Sequence, residues 1–120
     1  KSFHALKNLL KLNLGGNFIE NAISEIFQNI ILLENLEILN LSSSRINLDN
    51  INKIACSLTQ MQNLKLIDLS GNNLNHNNCL MIYHYCYKLP HLKILNLKSN
   101  QFNTSISQSL QILNDKRLLI

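Results

Sequence analysis

The chain has 120 residues and a formal net charge of +4. That length makes one domain, or part of one. No apolar run approaches the roughly 18 residues of a membrane-spanning helix, and no signal-peptide pattern opens the chain. The weak positive charge reads as a solvated surface, and no Lys/Arg cluster with interleaved exposed aromatics points to nucleic acid.

Taken in order, residues 1–8 read as the tail of a repeat, because Phe3 and Leu6 precede Leu9 by the same steps that separate Leu58 and Met61 from Leu64. One phrase then appears four times. It runs Leu9-x-x-Leu12-x-Leu14-x-x-Asn17, then Leu36-x-x-Leu39-x-Leu41-x-x-Ser44. It returns as Leu64-x-x-Ile67-x-Leu69-x-x-Asn72 and Leu92-x-x-Leu95-x-Leu97-x-x-Asn100. Its second aliphatic moves from Leu12 to Leu39, Ile67 and Leu95, the first step being one position shorter than the next two. Each phrase predicts a short strand. Alternation turns Leu12 and Leu14 to a core and Lys11 and Asn13 outward, and the pairs Leu39/Leu41, Ile67/Leu69 and Leu95/Leu97 repeat this. Asn17, Asn72 and Asn100 fall at the inward turn after the strand. An amide side chain can satisfy one backbone donor and one acceptor there, so a ladder of asparagines is expected, weakest at the shorter Ser44.

Between phrases the apolar residues step by three and four, which predicts helices. The first set is Ile19, Ile23, Ile26, Phe27, Ile30 and Leu33. The second is Ile46, Leu48, Ile51, Ile54, Ala55, Leu58 and Met61. The third is Leu74, Cys79, Ile82, Tyr83, Cys86 and Leu89, and the fourth is Phe102, Ile106, Leu110 and Leu113. Asp49, Asn77 or Asn78, and Thr104 or Ser105 are the candidate N-caps. Pro90 falls where the third helix has ended.

Self-similarity at such a period implies stacked units that bury their apolar sides against their neighbours. The phrase resembles the signature of leucine-rich repeat proteins, over the whole chain. A repeat of about 28 residues with a full helix resembles the ribonuclease-inhibitor-like subclass. The resemblance implies an α/β fold: a leucine-rich repeat solenoid in a right-handed horseshoe segment. Its parallel sheet would line the concave face and its helices the convex face. One domain over residues 1–120 would comprise a partial repeat at 1–8 and repeats starting near 9, 36, 64 and 92. Ile120 lies one full period after Leu92, where a further repeat should open, and neither terminus carries a polar cap. The expectation is therefore a piece of a longer array.

Chemistry-bearing residues are sparse. Cys56, Cys79 and Cys86 are odd in number and two share helical spacing, which argues against a disulfide scaffold. They read instead as small apolar fillers in an intracellular, cytoplasmic protein. His76, Cys79, His84, Cys86 and His91 lie close together in sequence, but their spacing does not bring metal ligands to one side. Asn40-Leu41-Ser42 and Asn103-Thr104-Ser105 match a glycosylation acceptor pattern by chance in so asparagine-rich a chain. Gly15, Gly16 and Gly71 stand in turns rather than in a phosphate loop. No catalytic residue, cofactor or small-molecule substrate is expected.

The outward strand positions form columns roughly 5 Å apart. One is Lys11, Ile38, Leu66, Ile94; the next is Asn13, Asn40, Asp68, Asn96; the third is Gly15, Ser42, Ser70, Lys98. Ile38, Leu66 and Ile94 are candidate anchors for a protein partner, with Asp68 the lone charge of its column and Lys98 at the rim. The plain alternative is that an ordinary neighbouring segment packs this strip. Three functions follow. The first is a non-catalytic protein-protein interaction module, a scaffold binding its partner through the concave face. The second is a structural subunit of a large assembly. The third is an enzyme-regulating protein, such as a GTPase activator, for which Arg45 is the loop arginine. Family resemblance by itself does not choose among them.

Overall fold

Strand and helix alternate through most of the chain, because apolar residues switch from a spacing of two to spacings of three and four within each repeat. The computed structural model describes residues 6–20, 22–46, 49, 51–101, 108 and 111–120. In chain order the elements are β1 (Lys11–Asn13), α1 (Ile23–Ile30), β2 (Ile38–Asn40), α2 (Ile51–Leu58), β3 (Leu66–Asp68), α3 (His76–Cys86), β4 (Ile94–Asn96) and β5 (Leu118–Leu119). The five strands form one parallel sheet whose spatial order is the chain order. Parallel neighbours require a long crossover, and α1, α2 and α3 supply it for the first three pairings. The class is α/β. The proposed fourth helix falls mostly outside the described residues, as do Leu48, Phe102, Thr104, Ser105, Ile106 and Leu110.

Leu12, Leu39, Ile67 and Leu95 lie in register across β1 to β4, at the intervals of the phrase. The last step breaks the period. Leu118 pairs with Leu95, well short of a full repeat, whereas the spacing predicts a new unit opening near Ile120. A tight turn causes the early return. Asn114 takes a positive φ of 51°, and Asp115 Oδ1 accepts the Arg117 N–H at 3.1 Å, so the chain enters β5 directly.

Inward strand residues and one face of each helix share a single buried cluster. Leu39, Ile67 and Leu95 meet Ile23, Phe27 and Ile30 of α1, Ile54, Ala55 and Leu58 of α2, and Cys79, Ile82 and Cys86 of α3. Leu12 and Leu14, expected in the core, are only half-buried because β1 is an edge strand. Two further expectations fail. Cys56 is exposed, since one residue past the buried Ala55 turns the side chain about 100° around the helix. Leu113 is exposed as well, lying in the turn that redirects the chain toward β5.

The sequence points to Asn77 or Asn78 as the cap of α3, but the structure uses Asn75. Asn75 Oδ1 accepts the Asn78 N–H at 2.9 Å and the Asn78 side chain accepts the Asn75 N–H at 3.0 Å. This reciprocal box satisfies two otherwise orphaned donors, and Asn78 is its far end. Asp49 lies two residues before α2, and the intervening cap position is outside the described residues.

The turns after the strands are tied together by side-chain amides. Asn72 Nδ2 donates to the carbonyls of Leu41 (2.8 Å) and Leu69 (3.0 Å). Its Oδ1 accepts the N–H of Ser44 at 2.9 Å. Asn100 repeats this one step on, donating to Leu69 and Leu97 and accepting from Asn72 and Leu74. Ser44 does less. Its hydroxyl reaches Leu14 O at 3.1 Å, but the Ile19 N–H goes to the Ser44 backbone carbonyl instead of to a side chain. Among the described residues Asn17 bonds only the carbonyls of its own turn. A second regularity runs alongside: Gly16, Ser43, Gly71 and Ser99 occupy equivalent positions, all with φ between 48° and 78°.

Candidate functional site

The outer face of the sheet collects the columns described from sequence. Lys11, Ile38, Leu66 and Ile94 are successive Cα partners, as are Asn13, Asn40, Asp68 and Asn96. Leu119 extends the second column through its pairing with Asn96. Ile38 and Leu66 are half-buried while Lys11 and Ile94 are exposed. At about 4.8 Å per strand, the three aliphatic residues make a strip roughly 10 Å long. Ser42 and Ser70 follow as half-buried small polar residues, and Lys98 is exposed. Beside them Gly15 lies so close to the second repeat that a Cβ on it would meet Ser42 Oγ at 2.8 Å.

In the asparagine column the side-chain oxygens turn back on the backbone. Asn13 Oδ1 accepts the Gly15 N–H, Asn40 Oδ1 that of Ser42, Asp68 Oδ1 that of Ser70 and Asn96 Oδ1 that of Lys98, all at 2.8–3.0 Å. These are side chains bonding backbone two residues on, a local turn device of Asn and Asp. Each acceptor oxygen is thus committed to shaping the strand exit. Asp68 also accepts the Ser70 hydroxyl at 2.6 Å. A partner would meet mainly the Asn amide NH₂ groups and the second Asp68 oxygen.

Strand entry supplies charge. Glu37 and Lys65 sit one residue before Ile38 and Leu66, and Lys65 Nζ approaches Glu37 Oε1 at 3.2 Å. Among the described residues Lys11, Lys93 and Lys98 make no ion pair.

One polar cluster has no counterpart in the sequence reading. Tyr83 of α3 donates its hydroxyl to Asp115 Oδ2 at 3.0 Å. Arg117 grips the same carboxylate with both branches, Nε to Oδ1 at 2.9 Å and Nη2 to Oδ2 at 2.6 Å. It also donates to the Tyr87 carbonyl at 3.0 Å. The Arg117 guanidinium holds the Asp115 carboxyl well below the usual carboxylate range. Burial, reinforced by Asp115, pushes the Tyr83 hydroxyl up. The cluster lashes α3 to the turn before β5. Its only sequence signal is the Asp-x-Arg spacing, which is too common to single out.

Remaining candidates are scattered. Arg45, the loop arginine, stacks its guanidinium 3.9 Å above the Phe18 ring. Cys79 and Cys86 are buried whereas His84 and His91 are exposed, and no group of three His, Cys, Asp or Glu comes together among the described residues. Burial pushes both thiols up to about 12. His76 Nδ1 is covered with no hydrogen-bond partner among the described residues. A groove of about 330 Å³ separates α1 from α2, floored by Ile23, Phe27 and Ile54, with Lys53 and Cys56 among its lining. No described helix is long and apolar enough to cross a membrane. Against known proteins, no family model, curated protein or solved structure matches this chain.

Proposed function

We propose that the chain is a leucine-rich repeat segment of the ribonuclease-inhibitor-like kind, acting as a non-catalytic module that holds a protein partner on the outer face of its sheet. In this reading that face is the concave side of a right-handed solenoid and the helices form its convex side. The observation that carries the proposal is the register that sets Ile38, Leu66 and Ile94 in one accessible line across three strands. Aliphatic residues on an otherwise small and polar surface provide contact area where a partner can exclude water. Three free thiols suit a reducing, intracellular setting, with the cytoplasm the compartment proposed.

The test is affinity capture from lysate of the source cells, comparing the wild type with Ile38→Glu/Leu66→Glu. Both positions lie outside the buried core, but the two carboxylates stand opposite each other on adjacent strands, so the variant should lose about 1–2 kcal/mol and still fold, as circular dichroism would show. Loss of a specific partner supports the reading. Retention of the same partner would move recognition to the helical side or to the α1–α2 groove and overturn the outer-face reading.

A further inference from the structure

The geometry points to an acidic amphipathic segment of a protein partner as the occupant of the outer face, seated with aliphatic side chains on the Ile38–Leu66–Ile94 strip and carboxylates toward the lysines around it. This rests on the outer-face reading above and adds the chemistry of the partner. Positive charge is left over on this face. Four lysines, Lys11, Lys65, Lys93 and Lys98, stand on or beside the strip, against Glu37 and Asp68. Glu37 is paired with Lys65, while Asp68 keeps its negative charge, both hydrogen bonds from Ser70 falling on Oδ1, so the face retains an excess of two positive charges. Lys11, Lys93 and Lys98 remain, all exposed. Lys93 and Ile94 are adjacent, and Lys98 follows on the same strand exit, so the most exposed aliphatic anchor is bracketed by two cations. Lys11 marks the opposite end, three strand spacings or about 14 Å away. A helix of about ten residues, rising about 1.5 Å per residue, covers that span.

A protein segment fits this face better than a nucleic acid does. The free cations are lysines, which act as point charges, and both arginines of the chain are engaged elsewhere. Arg117 is held on Asp115 and Arg45 on the Phe18 ring. The strip is aliphatic, so it offers no platform for stacking bases.

A random twelve-residue peptide library displayed on phage, selected on the full chain, provides the probe. Enriched peptides are resynthesised and titrated by fluorescence anisotropy against the wild type, Lys93→Glu/Lys98→Glu, Lys93→Arg/Lys98→Arg and Ile38→Glu/Leu66→Glu, each checked for folding by circular dichroism. A dT12 oligonucleotide is titrated alongside. The expected result is enrichment of Asp and Glu among aliphatic residues. Affinity should fall roughly tenfold on charge reversal, be kept by the arginine variant and weaken as salt rises. Neutral or basic peptides that bind the wild type and are lost only on Ile38→Glu/Leu66→Glu would overturn the acidic partner and leave the outer-face reading standing. Peptides that survive Ile38→Glu/Leu66→Glu would overturn both. Failure to enrich any sequence, or tighter binding of dT12 than of every peptide, would also overturn the inference.

Discussion

The side-chain oxygen of Asn72 accepts the backbone N–H of Ser44, one repeat earlier in the chain, at 2.9 Å. The same amide donates back to Leu41 and Leu69, and the residue is 3% exposed. Asn72→Ala would leave buried donors and acceptors of two repeats unsatisfied at once, at a cost of about 3 kcal/mol. Asn17 is exposed and among the described residues bonds only its own turn, so Asn17→Ala should cost less than about 1 kcal/mol. Urea midpoints of the two variants make the comparison. Equal losses would show that water replaces the Asn72 bonds.

A second expectation concerns the row of left-handed turn residues. Ser99 adopts φ 59° and Gly71 φ 69°, a region that is strained for any residue with a Cβ. Ser99→Gly should therefore raise stability by about 0.5 kcal/mol. Gly71→Ala should lower it by about 1 kcal/mol or more, since the added Cβ would also lie 2.7 Å from Ser43 Oγ. Thermal unfolding of both variants reads out the opposite signs.

Acid should release the lashing between α3 and β5. Because the folded Asp115 carboxyl sits below its ordinary value, it binds its proton less readily folded than unfolded. Its contribution is then complete above the unfolded value near about 3.9 and is lost as the pH falls below about 4. Asp115→Asn should cost about 1–2 kcal/mol at neutral pH through the lost charge-assisted bonds. It should flatten the stability curve below about pH 4. A variant whose acid dependence matches the wild type would show that other carboxylates govern that limb.

Alkylation should divide the thiols. Cys56 is exposed while Cys79 and Cys86 are buried, and the buried pair is pushed up to about 12. Iodoacetamide at mildly alkaline pH should modify Cys56 alone in native protein and all three in urea, as counted by mass spectrometry. Stability from the buried neutral thiols is present below their unfolded value near about 8.5 and is lost as the pH rises from there toward about 12. Native modification of Cys79 would mean that α3 opens readily.

The strands and the buried helix faces were legible because periodicity is a property of the chain itself. Leu39, Ile67 and Leu95 announce their register by spacing alone. What escaped depends on where short side chains turn. Asn40 and Asn96 look outward in any strand pattern, yet their oxygens fold back on the N–H two residues ahead. Asn75 competes with two further asparagines within three positions, and only the geometry of the reciprocal box selects it. The early arrival of β5 was hidden because its residues, Leu118 and Leu119, copy the apolar character of the phrase without its full spacing. Arg117 declared only its charge, and its grip on Asp115 required the turn between them.

Because spatial order follows chain order in the sheet, no pairing between neighbouring strands closes a loop longer than a single repeat. Short closures are the least costly in chain entropy and the fastest to form. Among the described helices the most extensive pairing joins α2 and α3, so ordering should start around β2, β3 and these two helices and spread outward a unit at a time. Amide hydrogens of β1 and β5 should exchange with solvent well before those of β3, giving the sheet a gradient of protection from centre to rim.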